Sequence, residues 1–127
     1  MITSRIKSFV ILIIILVITI LLLPIQVLFH VLNIQASYTL PMYYHRIFIK
    51  LLGIKITMKG EISNKPGLIV SNHGSWVDIF LISSILRTVF VAKNDVSKWP
   101  IISLLAKLQK TIFIDRNNPK KLIRTIK

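Results

Sequence analysis

Apolar residues dominate the start of the chain and then thin into shorter, patterned runs. Phe9 to Leu23 is apolar except for Thr19, and Arg5 and Lys7 stand just ahead of it. As a helix these fifteen residues reach about 22 Å, short of a hydrocarbon core of roughly 30 Å. Extending the helix to Leu32 supplies the length but takes in Pro24, Gln26 and His30, and proline favours a kink. No small-residue cleavage site follows, which favours a retained anchor over a signal peptide. A polar turn over Asn33 to Ser37 leads to a second helix, Pro41 to Leu52, stopped by Gly53. Its apolar face is Met42, Tyr43, Ile47, Phe48, Leu51 and Leu52, with His45, Arg46 and Lys50 on another side. That face meets either lipid or protein.

The pattern then changes period. Ile54 to Lys59 alternates apolar and polar residues, as an edge strand with one wet face does. Asn64-Lys65-Pro66-Gly67 is a turn, and Leu68-Ile69-Val70 reads as a buried strand. A helix is expected from Trp76 to Arg87 with Ser75 as N-cap, then a strand over Val89 to Ala92, a helix from Lys98 to Lys107, and a strand over Thr111 to Arg116. Strands alternating with helices of this length predict right-handed βαβ crossovers and a mostly parallel sheet. The fold class is therefore α/β, with N-terminal hydrophobic, membrane-associated helices over 1–53 followed by a βαβ unit over 54–127.

Charge sharpens that picture. The chain has 17 Lys and Arg against four acids, a formal charge of +13, so its surface is drawn to anionic partners. Beside an apolar anchor, the expected partner is a bilayer with anionic lipids, which attracts each nearby basic residue by about 1 kcal/mol. Nucleic acid is not expected: the basic residues are spread along the chain, with no helix-turn-helix or RNA-recognition signature. There is no cysteine, which excludes disulfides and thiolate catalysis. The three histidines and four acids lack metal-ligand spacing, so no metal is expected.

The candidate chemistry lies in Asn72-His73-Gly74-Ser75-Trp76-Val77-Asp78. In a continuous helix His73 and Asp78 would be turned about 140° apart, so the pair needs a turn to meet. With His73 on the strand-to-helix connection and Asp78 in the first helical turn, the carboxylate folds back to one imidazole nitrogen and leaves the other free to accept a proton. The same residues also fit a capping box in which Asp78 satisfies a backbone N–H. The two readings are compatible.

Asn72, His73, Ser75 and Asp78 together resemble the N-H-x-S-x-x-D signature of the glycerolipid acyltransferases, especially the bacterial 1-acyl-sn-glycerol-3-phosphate (lysophosphatidate) acyltransferases. The resemblance covers about Pro41 to Lys127. It implies an acyltransferase domain and transfer of a fatty acyl chain from acyl-CoA or acyl-acyl carrier protein to the 2-hydroxyl of lysophosphatidate, with no bound cofactor. It also implies the bacterial inner membrane, with the catalytic domain on the cytoplasmic face, and an N-terminal helix pair entering the membrane. His73 would be the general base and Asp78 its partner, with Asn72 and Ser75 contributing to the substrate site. Ser75 is an N-cap in this reading, not a nucleophile. Backbone N–H groups at the start of the Trp76 helix would stabilise an oxyanion or bind phosphate.

Phe113-Ile114-Asp115-Arg116 resembles the family's second block, in which the arginine holds the acceptor's phosphate; a guanidinium suits this as a planar, permanently charged fork. A solvated arginine at a strand end is the alternative. Val91-Ala92-Lys93-Asn94-Asp95 resembles a segment reading A-K-x-E in relatives, with Asp95 in place of Glu, and Lys93 either serves a phosphate or faces water. Ser103 and Gln109 stand where relatives often carry glycine. The third block, F-P-E-G-T-R, and the fourth, a proline-containing apolar strand, do not occur in the sequence. Asn118-Pro119 reads as N-cap and N1 of a further helix, so the sequence reads as an N-terminal, truncated part of such a domain. The competing expectations are an acyltransferase for another lyso-lipid, such as lyso-ornithine lipid, and a non-catalytic basic membrane-binding module.

Overall fold

The computed structural model describes residues 2–63 and 65–115, with side chains from residue 5 onward. Its elements are α1 (Ile2–Val31), α2 (Ala36–Leu51), α3 (Val77–Ile85), β1 (Val91–Lys93), a 3₁₀ turn over Asn94–Lys98, α4 (Pro100–Leu108) and β2 (Ile112–Ile114). The expected helix after Asn118-Pro119 lies outside the described residues.

α1 runs unbroken through Pro24 for 30 residues, about 45 Å. Over Arg5–Val31 it is long and apolar enough to cross a membrane. Ile11, Ile15, Ile18, Leu22, Gln26 and Phe29 recur at helical spacing and are less exposed than their neighbours, marking the stripe turned toward α2. The rest of the helix presents bare Ile, Leu, Val and Phe side chains.

α2 begins five residues earlier than the proline at position 41 suggested, and Pro41 lies inside it. A proline within a helix removes the bond to the carbonyl four residues back, here that of Ser37. The Gln26 side-chain amide takes that place, donating to the Ser37 carbonyl at 2.9 Å and to the Leu108 carbonyl at the end of α4 at 2.8 Å. One polar side chain in an apolar helix thus ties α1 to both α2 and α4. The α1–α2 hairpin is antiparallel, with Gln26 opposite Ser37 and Thr19 bonded to Tyr44 at 2.7 Å.

The face of α2 turned inward also differs from expectation. His45 is buried alongside Phe48 and Ile49, whereas Tyr43 and Ile47 stay exposed. Helix α3 decides this by docking along α2, with Phe80 stacked on Phe48 at 4.3 Å and edge-on to His45 at 4.8 Å.

Three helices end alike. Asn33, Gly53 and Lys110 adopt positive φ, and the following residues Ile34, Ile54 and Thr111 donate back to Phe29, Ile49 and Ala106, closing orphan carbonyls in Schellman fashion. Lys110 carries a side chain where glycine is favoured. Its ammonium donates to Asn33 Oδ1 at 2.6 Å and lies over the Tyr38 ring at 4.3 Å, linking the ends of α1 and α4.

β1 and β2 pair in parallel, Val91 with Ile112, Ala92 with Phe113 and Lys93 with Ile114, and α4 crosses between them as a βαβ unit. Among the described residues this is the whole sheet. The strands expected at Ile54 to Lys59 and at Leu68 to Val70 form no regular element and have no ladder partners, and Leu68 and Val70 are 88% and 85% exposed. Apolar alternation specifies which face a strand would bury, but a ladder also needs a neighbour.

Candidate functional site

The His73 segment is organised by one carboxylate oxygen. Asp78 Oδ2 accepts the Ser75 N–H at 2.8 Å, the Gly74 N–H at 2.9 Å and lies 3.2 Å from His73 Nδ1. Ser75 Oγ accepts the Val77 N–H at 3.3 Å. Trp76, just before Val77, already has helical φ and ψ, so Ser75 works as the N-cap and Asp78 as the residue reaching back to it, a one-residue difference in where the helix is said to start. The capping box and the His–Asp contact are therefore one structure. The helix is shorter than expected, ending at Ile85 rather than Arg87.

An ionised carboxylate only accepts hydrogen bonds, so Nδ1 of a neutral His73 carries the proton and Nε2 keeps its lone pair. The Ser75 N–H foremost, then the Gly74 N–H and the His73 imidazole, hold the Asp78 carboxyl below the usual carboxylate range, against an opposing push from desolvation. The His73 side chain is 61% exposed, within reach of a substrate arriving from outside.

The expected oxyanion donors are mostly spent. Gly74 and Ser75 give their N–H groups to Asp78, Val77 gives its own to Ser75 Oγ, and Asp78 donates to the Ser75 carbonyl. Within residues 74–78 this leaves Trp76 as the backbone donor with no acceptor among the described residues.

The other predicted site residues are dispersed. Asn72 is exposed beside His73. Lys93, at the end of β1, is paired with Asp95, which Lys98 also approaches at 3.6 Å; those ammonium groups hold the Asp95 carboxyl down. Arg116 lies outside the described residues. Ser103 is buried in α4 and donates its N–H to the Trp99 carbonyl at 2.7 Å. Gln109 turns its amide to His45 Nε2 at 3.2 Å. Among the described residues no group of three or more His, Asp or Glu side chains is placed to hold a metal ion.

Sequence reasoning passed over the layer behind the motif. Trp76 meets Phe80 edge-on at 5.7 Å and Phe48 at 6.5 Å, so the tryptophan inside the motif is braced by α2 through Phe80. The usable signal was the spacing of Trp76 and Phe80, one helical turn apart. His45 is buried among these rings, and desolvation lowers its pKa to about 4. A concavity of about 500 Å³ is lined by Arg46, Ile49, Ile56, Met58, Ser84 and Ile85 among others. Ser84 and Ile85 close α3, so this hollow sits at the opposite end of that helix from His73.

A histidine held by a carboxylate at a helix start thus stands on a chain led by an apolar helix long enough to cross a membrane. The Acyltransferase family model matches residues 53–127, and the chain belongs to that family. It is 40% identical over 85 residues to the lyso-ornithine lipid O-acyltransferase of Rhizobium meliloti (strain 1021), covering 66% of this chain and 29% of that protein. The lyso-ornithine lipid O-acyltransferase of Brucella abortus (strain 2308) is 40% identical over 81 residues, 63% of this chain and 30% of that protein. A 1-acyl-sn-glycerol-3-phosphate acyltransferase of Cocos nucifera is 33% identical over 85 residues, 65% of this chain and 28% of that protein. The chain thus spans about three-tenths of the length of the curated relatives it matches. No solved structure matches it significantly.

Proposed function

We propose that the protein transfers a fatty acyl group from an acyl thioester to the free hydroxyl of a lyso-lipid, with lyso-ornithine lipid as the acceptor. The observation that carries the chemistry is the Asp78 oxygen placed 3.2 Å from His73 Nδ1, which leaves Nε2 as the base. His73 Nε2 takes the hydroxyl proton as the acceptor oxygen attacks the thioester carbonyl, and Asp78 stabilises the imidazolium so formed. The tetrahedral intermediate then collapses, the C–S bond breaks, and the leaving thiolate receives the proton back from His73. No acyl-enzyme is required. Ser75 Oγ is engaged by the Val77 N–H, in keeping with a capping role. Trp76 offers its free N–H for the oxyanion.

The choice of acceptor follows the Rhizobium and Brucella relatives, each more identical over comparable lengths than the Cocos acyltransferase. Lysophosphatidate, yielding phosphatidate, is the second reading. It rests on Phe113-Ile114-Asp115-Arg116, whose guanidinium suits a phosphate. In either case the donor is acyl-CoA or acyl-acyl carrier protein, anionic lipids hold the basic surface, and the protein works at the cytoplasmic face of a bacterial inner membrane.

The test expresses the gene in cells lacking their own lyso-lipid acyltransferases and supplies membranes with labelled acyl thioester and each acceptor in turn. Label entering ornithine lipid supports the first reading, and label entering phosphatidate replaces it with the second. Transfer to both acceptors that persists unchanged in His73→Ala would remove the base mechanism.

A further inference from the structure

The concavity of about 500 Å³ adjoins a second of about 220 Å³, and the two share Met58, Ile62 and Ile85 as lining residues. They are one open trough. Helices α2 and α3 form one side of it. The other side is the stretch from residue 54 to 62, whose alternation pairs with no strand and instead turns Ile54, Ile56 and Met58 to the trough while leaving Lys55 and Thr57 out of it. Ile56, Met58, Ile62 and Ile69 stay 39–55% exposed, so the trough is apolar and uncovered. Its size falls in the range of roughly 300–1,000 Å³ usual for small-molecule sites.

The two ends of the trough differ. Ile82 and Ile85 follow Asp78 on α3 at the spacing of one helical face. Ile82 lines the smaller hollow and Ile85 lines both, so the trough follows the face of α3 that bears Asp78. The smaller hollow is also lined by Ser71, two residues before His73, which places that end against the His73 segment. Its charged residues, Lys59 and Glu61, offset each other. The far end is cationic. Arg46 and Lys50, one turn apart on α2, line the larger hollow with no acid among its lining residues. Arg46 is held in place, because its Nε donates to the Ser84 carbonyl at 2.7 Å. Its terminal nitrogens are left with the Met42 sulfur at 3.7 Å and the face of Tyr43. Lys50 has no carboxylate partner among the described residues.

We infer that the trough binds a free long-chain fatty acid, with its carboxylate on Arg46 and Lys50 and its tail running along α3 toward Ser71. A guanidinium with its terminal nitrogens available suits a carboxylate, which can take two parallel hydrogen bonds from it. The apolar floor suits a hydrocarbon tail, and from Asp78 to Ile85 α3 gives that tail about 10 Å of helix to lie along before the larger hollow opens toward α2. An acyl thioester reacting at His73 would lie the other way round, with its polar end at the base and its methyl end at the two cations. The charge therefore marks a ligand opposite in sense to the acyl donor. This site stands whether or not His73 is the base.

The test reads both occupancy and direction. The whole protein in phosphatidylcholine vesicles is photolabelled with two palmitate probes, one carrying a diazirine beside the carboxylate and the other at the tail end, and the labelled peptides are identified by mass spectrometry. The carboxylate-end probe is expected on Ile49, Ile54 and Ile56, and the tail-end probe on Ile69, Ser71 and Ile82. Excess palmitate should remove both labels, and hexadecanol should not. Lys50→Gln and Arg46→Gln should each lower the labelling several-fold. Because Arg46 also holds Ser84, Lys50→Gln decides the matter where Arg46→Gln fails to fold. No saturable labelling of the trough, as a protein cover would give, overturns the proposal, and so does the reversed pattern of a donor-like chain. Displacement by hexadecanol or by phosphatidylglycerol as complete as that by palmitate overturns it as well.

Discussion

Residues 72–78 and residues 54–70 are neighbours in sequence, and the structure treats them in opposite ways. The first stretch is folded by bonds among its own members: Asp78 reaches Gly74, Ser75 and His73, and Ser75 reaches Val77. The second carries a clear apolar alternation over Ile54 to Lys59, but its described residues join no ladder. Order that depends on contacts a few residues apart survives in any context. Order that depends on strand pairing waits for the partner strand, since closing a distant contact costs chain entropy before the ladder repays it.

The largest effect that would break this comparison is catalytic. His73→Ala is expected to lower turnover by about 10²–10⁴-fold, the range for a lost general base, with the melting temperature nearly unchanged, because the Asp78 bonds to Gly74 and Ser75 remain. Full activity, or a collapse of the fold, would mean that His73 is not a separable base.

Asp78 should behave differently because it serves both purposes. Asp78→Ala is expected to reduce turnover and also lower the melting temperature, since two backbone N–H groups lose their acceptor. Asp78→Asn keeps an acceptor oxygen and should recover part of the thermal loss while turnover stays low, the charge that supports the imidazolium being gone. Parallel thermal melts and rate measurements separate the roles; equal recovery of both would argue that only the cap matters.

The long-range side of the comparison is carried by Gln26. Gln26→Leu leaves the Ser37 and Leu108 carbonyls without their side-chain donor in a buried place, and should destabilise by about 1–3 kcal/mol. Denaturant unfolding in detergent reads this, and a loss below a few tenths of a kcal/mol would show the three-helix junction to be held by packing alone.

These particulars mark what the sequence could show. The Ser75–Asp78 cap and the Gly53 stop are local, and their residue types name their partners. β1, β2 and α4 were legible because a single crossover joins them, so their pairing needs nothing from elsewhere. Gln26 was visible only as an oddity in an apolar run. That it answers the carbonyl freed by Pro41 depends on the register of two helices, which no local pattern encodes. His45 was assigned to a polar face for the same reason. Its spacing along α2 groups it with Arg46, and only the arrival of Phe80 makes that position interior.

His45 also gives the subtlest expected effect, because its titration leaves stability untouched at neutral pH. Burial keeps the imidazole uncharged down to about 4, from an ordinary value of 6.5. Above the ordinary value neither the folded nor the unfolded chain binds the proton, and stability is unaffected. Between the two values the unfolded chain protonates and the folded chain does not, so stability falls steadily as pH drops through that window. Asp78 follows a lower window. Its depressed carboxyl contributes stability above the ordinary carboxylate value of about 3.9, and that contribution is lost only as pH falls further, through its folded value. A pH series of melting temperatures should therefore show a first decline below about 6.5 that His45→Gln reduces, and a second at greater acidity that Asp78→Asn reduces. A first decline of the same depth in His45→Gln would show that His45 is hydrated in the folded protein and that the ring cluster around Phe80 admits water.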